Sequence, residues 1–131
     1  MIAPCFVDAN VLIYSRDRTD RSKQDRALGW IDQLWDDDAG RTSTQVLSEF
    51  YVTVTRKLAQ PLRKEEAWAD VQSFLSWKPQ PIDTEVLARA RQAEERYRLS
   101  WWDSLIVAAA QAQHGFDLTR ANLWNAIGDV A

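Results

Sequence analysis

The chain has 131 residues, of which 46% are hydrophobic, 27% charged and 11% aromatic, with four Gly and four Pro; this is the make-up of one folded domain and not of a disordered or fibrous chain. Sixteen Lys and Arg against nineteen Asp and Glu leave a net charge of −3, which argues against a protein that coats nucleic acid through a global positive field. One Cys and one His exclude a disulfide framework and Cys- or His-rich zinc chemistry.

The N-terminus lacks a signal peptide's basic start and long apolar run, and no stretch of about 18 apolar residues exists. A single soluble domain over residues 1–131, in the cytoplasm and with no membrane partner, is the expectation. Seven Trp are more aromatic bulk than one small core needs, so some belong to an interface.

In chain order, Ile2 to Val7 is an apolar run of the kind buried on both faces of a parallel sheet, and it ends in Asp8. Val11 to Tyr14 reads as a short helix. A polar loop follows, and Ser22 with Asp25 has the spacing of a capping box for a helix carrying Ala27, Trp30, Ile31 and Leu34 on one stripe. Asp36-Asp37-Asp38 is a solvated helix exit, with Gly40 as the expected stop.

Arg41 to Thr44 is a short second strand, and Leu47, Phe50, Tyr51, Val54 and Leu58 form a helical stripe running to Pro61. Glu49 lies about 150° from the centre of that stripe, so core packing does not explain it. Arg63 to Trp77 is amphipathic, with Ala67, Val71, Phe74 and Leu75 inward. After Pro79 and Pro81, Thr84 caps a helix bearing Val86, Leu87, Ala90, Ala93 and Tyr97. Ser100 and Asp103 open a strongly apolar helix through Ala112, Gly115 ends it, and Phe116 to Thr119 is a last short strand. Short strands alternating with helices define an α/β class with a mostly parallel sheet and helices on both faces. Its functional crevice lies beyond the carboxyl ends of the strands, where Asp8 falls.

Three carboxylates share one pattern: Asp8 after the first strand, Glu49 in the helix after the second, and Asp103 at the start of the last long helix each stand at the edge of an apolar segment. That topology brings Asp8 and Glu49 to one sheet edge, and Asp103 joins them if its helix begins there. Acids so gathered are relieved by protonation or by a hard divalent cation such as Mg²⁺ or Mn²⁺, which takes oxygen ligands and acts on phosphodiesters. Asn10 could add a neutral ligand. Each residue also has a plainer role: Asp8 or Asn10 as a helix cap, Glu49 on a solvated face, Asp103 as the partner of Ser100 in a capping box.

The segments Phe6-Val7-Asp8-Ala9-Asn10-Val11-Leu12-Ile13-Tyr14, Ser43-Thr44-Gln45-Val46-Leu47-Ser48-Glu49-Phe50 and Leu99-Ser100-Trp101-Trp102-Asp103-Ser104-Leu105-Ile106-Val107-Ala108-Ala109-Ala110 together resemble the PIN domain, specifically the VapC-type toxins of bacterial toxin–antitoxin pairs. The resemblance implies a three-layer α/β/α Rossmann-like fold and a metal-dependent endoribonuclease. Asp8, Glu49 and Asp103 would be its Mg²⁺ or Mn²⁺ ligands, with Thr44 and Asn10 as polar helpers. It further implies an RNA substrate, a homodimer and a cognate antitoxin. The match departs at the C-terminus. The family's fourth acid sits in a Thr or Ser, any residue, Asp arrangement, where Thr119-Arg120-Ala121 places Ala121. Asp117 is the nearest substitute, and a catalytically impaired PIN-fold binding module is the alternative reading. A phosphatase with an Asp nucleophile needs a second acid where Asn10 stands.

The remaining features read two ways. Arg16, Arg18, Arg21, Lys23 and Arg26 could hold RNA phosphates or alternate with acids on a solvated loop. Trp101-Trp102 could stack bases or pack in the core or a dimer. His114 fits a helix C-cap.

Overall fold

The computed structural model describes residues 3–113. Its elements are β1 (Cys5–Phe6), α1 (Ala9–Tyr14), α2 (Arg21–Asp36), β2 (Gly40–Arg41), α3 (Thr44–Arg56), α4 (Lys64–Phe74) with a 3₁₀ turn over Leu75–Trp77, α5 (Thr84–Tyr97) and α6 (Trp101–Ala112). The α/β class holds, and each strand pairing among the described residues is parallel. β1 pairs with β2 in the register Cys5 to Gly40 and Phe6 to Arg41, and Ser43 bridges Gln80 in the same sense. Both strands are shorter than expected, two residues each, because ladder partners exist only where the chain after α2 comes alongside. Cys5 N–H donates to Ala39 O at 2.8 Å and Val7 N–H to Arg41 O at 2.7 Å. The expected strand over Phe116 to Thr119, with Asp117, Ala121, His114 and Gly115, lies outside the described residues.

Phe6, Val7, Val11, Leu12, Phe50 and Val54 are wholly buried at the centre of the core. α1 packs on α2 and α3, α3 on α4, and α5 with α6 forms a helical hairpin closed by three residues. Seven consecutive residues of α6, Ser104 to Ala110, are buried, so that helix is enclosed nearly all round.

Several boundaries differ from expectation for one reason: where two capping residues stand close together, the structure picks the acid. Asp20, not Ser22, caps α2, its Oδ1 accepting from Lys23 N–H at 3.1 Å. Asp83, not Thr84, caps α5, accepting from Val86 N–H at 2.9 Å. A carboxylate accepts the orphan amides and also favours the positive end of the helix dipole. α2 ends before Gly40, because Asp38 itself takes the left-handed conformation at φ 49°, which Asp tolerates better than most side chains. Gly40 is thereby free to join β2 beneath Trp77. A Cβ there would come within 2.4 Å of the indole, so this close approach requires glycine. The second strand is Gly40–Arg41 and not Arg41 to Thr44, since Thr44 already begins α3 under its cap Ser43. Leu75 and Leu87, expected inward, are exposed.

Candidate active site at the carboxyl edge of β1

Asp8 follows β1 by two residues and is the N-cap of α1, its Oδ1 accepting from Ala9 N–H at 2.7 Å. It is 8% exposed, the only carboxylate among the described core residues. Its position is held from β2's side. The buried Thr42 donates from Oγ1 to Val7 O at 3.1 Å, while its own carbonyl accepts from Gln80 N–H and from Gln113 Nε2, both at 3.0 Å. Thr42 therefore ties the end of β1, the Gln80 segment and the end of α6 into one unit on which Asp8 sits. Sequence reasoning passed over Thr42; the available signal was a hydroxyl inside a segment that had to be buried, where it needs a hydrogen-bond partner.

Glu49 is exposed, in the second turn of α3, with its Oε1 accepting weakly from Gln45 Nε2 at 3.4 Å. Asp103 is exposed in the first turn of α6. Half of its expected capping box exists: Ser100 Oγ accepts from the Asp103 backbone N–H at 3.1 Å. The Asp103 carboxylate returns no hydrogen bond among the described residues, so capping does not use its charge.

Asp8 lies within the fields of the other two acids. Burial pushes the Asp8 carboxyl above its ordinary value of 3.8, the Ala9 amide pulls it back, and the negative charges of Glu49 and Asp103 push it up further. None of the three forms an ion pair among the described residues, although five acids elsewhere pair with Arg: Asp70, Glu66, Glu85, Glu94 and Glu95. Uncompensated carboxylates sharing one edge are a donor set suited to a hard cation. Their spacing limits how it could be held, because no three His, Cys, Asp or Glu among the described residues stand close enough to ligate one ion. The arrangement fits an ion held directly by one or two carboxylates, with waters reaching the remainder, which is how Mg²⁺ commonly binds.

Asn10 is exposed on α1 two residues beyond Asp8. Thr44 opens α3, its backbone N–H tied to Gln80 O at 3.0 Å, and it lines an apolar groove of about 530 Å³ between α3 and α4 together with Leu47, Tyr51, Trp68 and Leu75. Asp117 lies outside the described residues. In the basic cluster, Arg16 is committed to Asp70 through two bonds of 2.6 Å, and Lys23 lies over the Tyr14 ring. Among the described residues no helix is long and apolar enough to cross a membrane. A family model described as PIN domain matches residues 5–120. No curated protein matches the chain.

Proposed function

The chain belongs to the PIN-domain family, whose members are generally metal-dependent nucleases, and we propose that it is an endoribonuclease of the VapC toxin type, cutting RNA at Asp8, Glu49 and Asp103. One observation carries the reading: buried Asp8 sits in the fields of both Glu49 and Asp103 with no cation paired to any of them among the described residues. Leaving acids in that state costs stability, and a fold retains such a cost where a ligand relieves it.

Asp8, fixed by the Thr42 tie and the Ala9 amide, is the rigid anchor for Mg²⁺ or Mn²⁺. Glu49 and Asp103, on exposed helix turns, would help to hold the ion, with Asn10 and Thr44 as polar helpers and Asp117 as the substitute for the fourth acid. When bound, the ion neutralises the acids and acts as a Lewis acid on the phosphodiester. The carboxylates hold its position and orient water toward the phosphorus. Exposed Trp68 and Leu75 beside the α3/α4 groove support protein partners, an antitoxin and a second copy of the chain. A single domain working in the cytoplasm completes the proposal.

The test is cleavage of a mixed-sequence RNA pool by purified protein in Mn²⁺, in Mg²⁺ and in EDTA, with Asp8→Asn alongside. Cleavage that requires both metal and Asp8 is expected; full activity of Asp8→Asn sinks the assignment. The Ala121 in the fourth acid's slot favours one second reading, a binding module without turnover. Metal binding with intact RNA in every lane would establish it.

A further inference from the structure

We infer that Trp102 is the base-stacking residue of this site, gripping one unpaired base of single-stranded RNA beside the phosphodiester presented to Asp103; the inference rests on the nuclease reading above. α6 is nearly all buried, and the only exposed positions among its twelve residues are Trp102 and its neighbour Asp103. Trp102 is 63% exposed, more than any other large hydrophobic among the described residues. This removes the core-packing role that its place in an apolar helix suggests.

The indole face is also open. Trp35, Phe74 and Trp77 stack on one another, and Tyr14 and Tyr97 each carry a cation over the ring. Trp102 has neither kind of partner among the described residues. Its backbone lies in the first turn, which the Ser100 cap fixes by accepting from Asp103 N–H, so the direction in which the side chain leaves the helix is set before a ligand arrives, and only its rotamer remains to be ordered. Adjacent residues on a helix diverge by about 100°, so a base lying on Trp102 would flank the phosphate at Asp103 and not block it.

Electrostatics favour this kind of grip. Three carboxylates carry more charge than one divalent ion balances, so a strand approaching Asp8, Glu49 and Asp103 gains little from that edge's field, and contacts that do not depend on charge help to hold it. Stacking is such a contact, accepts every base and requires an unstacked one, which selects single strands and loops over duplex. The surroundings favour a base over a protein partner. One turn along α6, Leu105 and Ile106 are buried, so Trp102 does not centre a contiguous apolar patch of the kind that partners cover.

The experiment compares wild type, Trp102→Ala and Trp102→Phe in metal-dependent cleavage of a single-stranded RNA. RNA binding is read by fluorescence anisotropy with each Trp102 substitution placed on the Asp8→Asn background. Trp102→Ala is expected to raise KM and weaken binding by about 5- to 150-fold with kcat within a few-fold, unchanged thermal stability and unchanged oligomeric state, and Trp102→Phe to restore most of the loss. Unchanged KM in a wild-type-like Trp102→Ala enzyme overturns the stacking role and leaves the nuclease reading intact. A loss that accompanies a change in oligomeric state overturns it in favour of a protein contact. A wild-type protein that binds and cuts no RNA removes both.

Discussion

The two ends of α1 treat nearby acids in opposite ways. At its C-terminal end, Arg16 grips Asp70 of α4 through Nε and Nη2, both at 2.6 Å, an end-to-end match of guanidinium and carboxylate. At its N-terminal end, Asp8 is more deeply buried, has one amide for a partner and faces two further acids. The chain has sixteen Lys and Arg to distribute, and among the described residues none reaches Asp8, Glu49 or Asp103. The paired end is built for stability, and the unpaired end is built for something that arrives from outside.

The largest expected effect breaks the comparison at its unpaired end. Asp8→Asn keeps the cap, since a carboxamide oxygen still accepts from Ala9 N–H, but removes the charge. Cleavage is expected to fall by about 10²–10³-fold. Stability should move the other way. Because the folded-state pKa of Asp8 is raised, its contribution favours folding below the ordinary carboxylate range and is lost as pH rises through the folded value. Above that value the ionised side chain is a net cost, which Asn does not carry. Denaturant unfolding without metal, from pH 4 to 8, should show Asp8→Asn gaining on wild type as pH rises and then levelling off. A variant less stable than wild type at pH 7 would remove the electrostatic account. Metal should narrow the gap by stabilising only the wild type, by mass action.

The next effect concerns the frame that seats Asp8. Gly40→Ala places a methyl within 2.4 Å of the Trp77 ring, which Trp35 and Phe74 hold from the other sides. A cost of about 1–3 kcal/mol is expected from overpacking, measured as a lowered unfolding midpoint. Activity per folded molecule should fall as well, since β2 carries the Val7 amide bond on Arg41 O and leads into Thr42. Full activity in the destabilised variant would show that Asp8 does not depend on this strand.

How much of this was legible follows from the same residues. Asp8, Glu49 and Asp103 stood out because each interrupts or borders an apolar segment, and periodicity alone showed that packing did not call for Glu49. The α/β class followed from the alternation of short apolar runs with amphipathic ones. Strand lengths did not, because a ladder needs a partner and the sequence does not say how far the chain after Asp38 runs beside Cys5. The choice of Asp20 over Ser22 and Asp83 over Thr84 was hidden because both members of each pair can cap a helix. The spacing of the three acids depends on side-chain rotamers on three separate elements. Local pattern carries no information about those. Trp102 was legible as a residue of interest but not as an exposed one, since six of the seven residues after Asp103 are apolar and imply burial.

The smallest effects sharpen the paired end. Arg16→Ala leaves Asp70, whose side chain is 19% exposed, without its partner. A loss of about 1 kcal/mol is expected, held down because solvent reaches the guanidinium, and cleavage per folded molecule should not change. Arg89→Ala removes a looser pair, in which one oxygen of Glu85 accepts from both Arg89 Nε and Nη2 at 3.0–3.1 Å, one turn apart on α5 with both side chains open to solvent. Its expected cost is about 0.3–0.5 kcal/mol, near the limit of a careful denaturation experiment, and it should shrink in high salt more than that of Arg16→Ala. Both substitutions delete a guanidinium–carboxylate pair, one spread over both carboxylate oxygens at 2.6 Å and the other resting on a single oxygen at 3.0–3.1 Å, so their ratio reads what burial, bond geometry and long-range closure between α1 and α4 add together. Equal losses would mean that solvent screens both pairs alike. Burial would then not be what separates Asp70 from the surface acids, and the contrast between the two ends of α1 would rest on the unpaired charge at Asp8 alone.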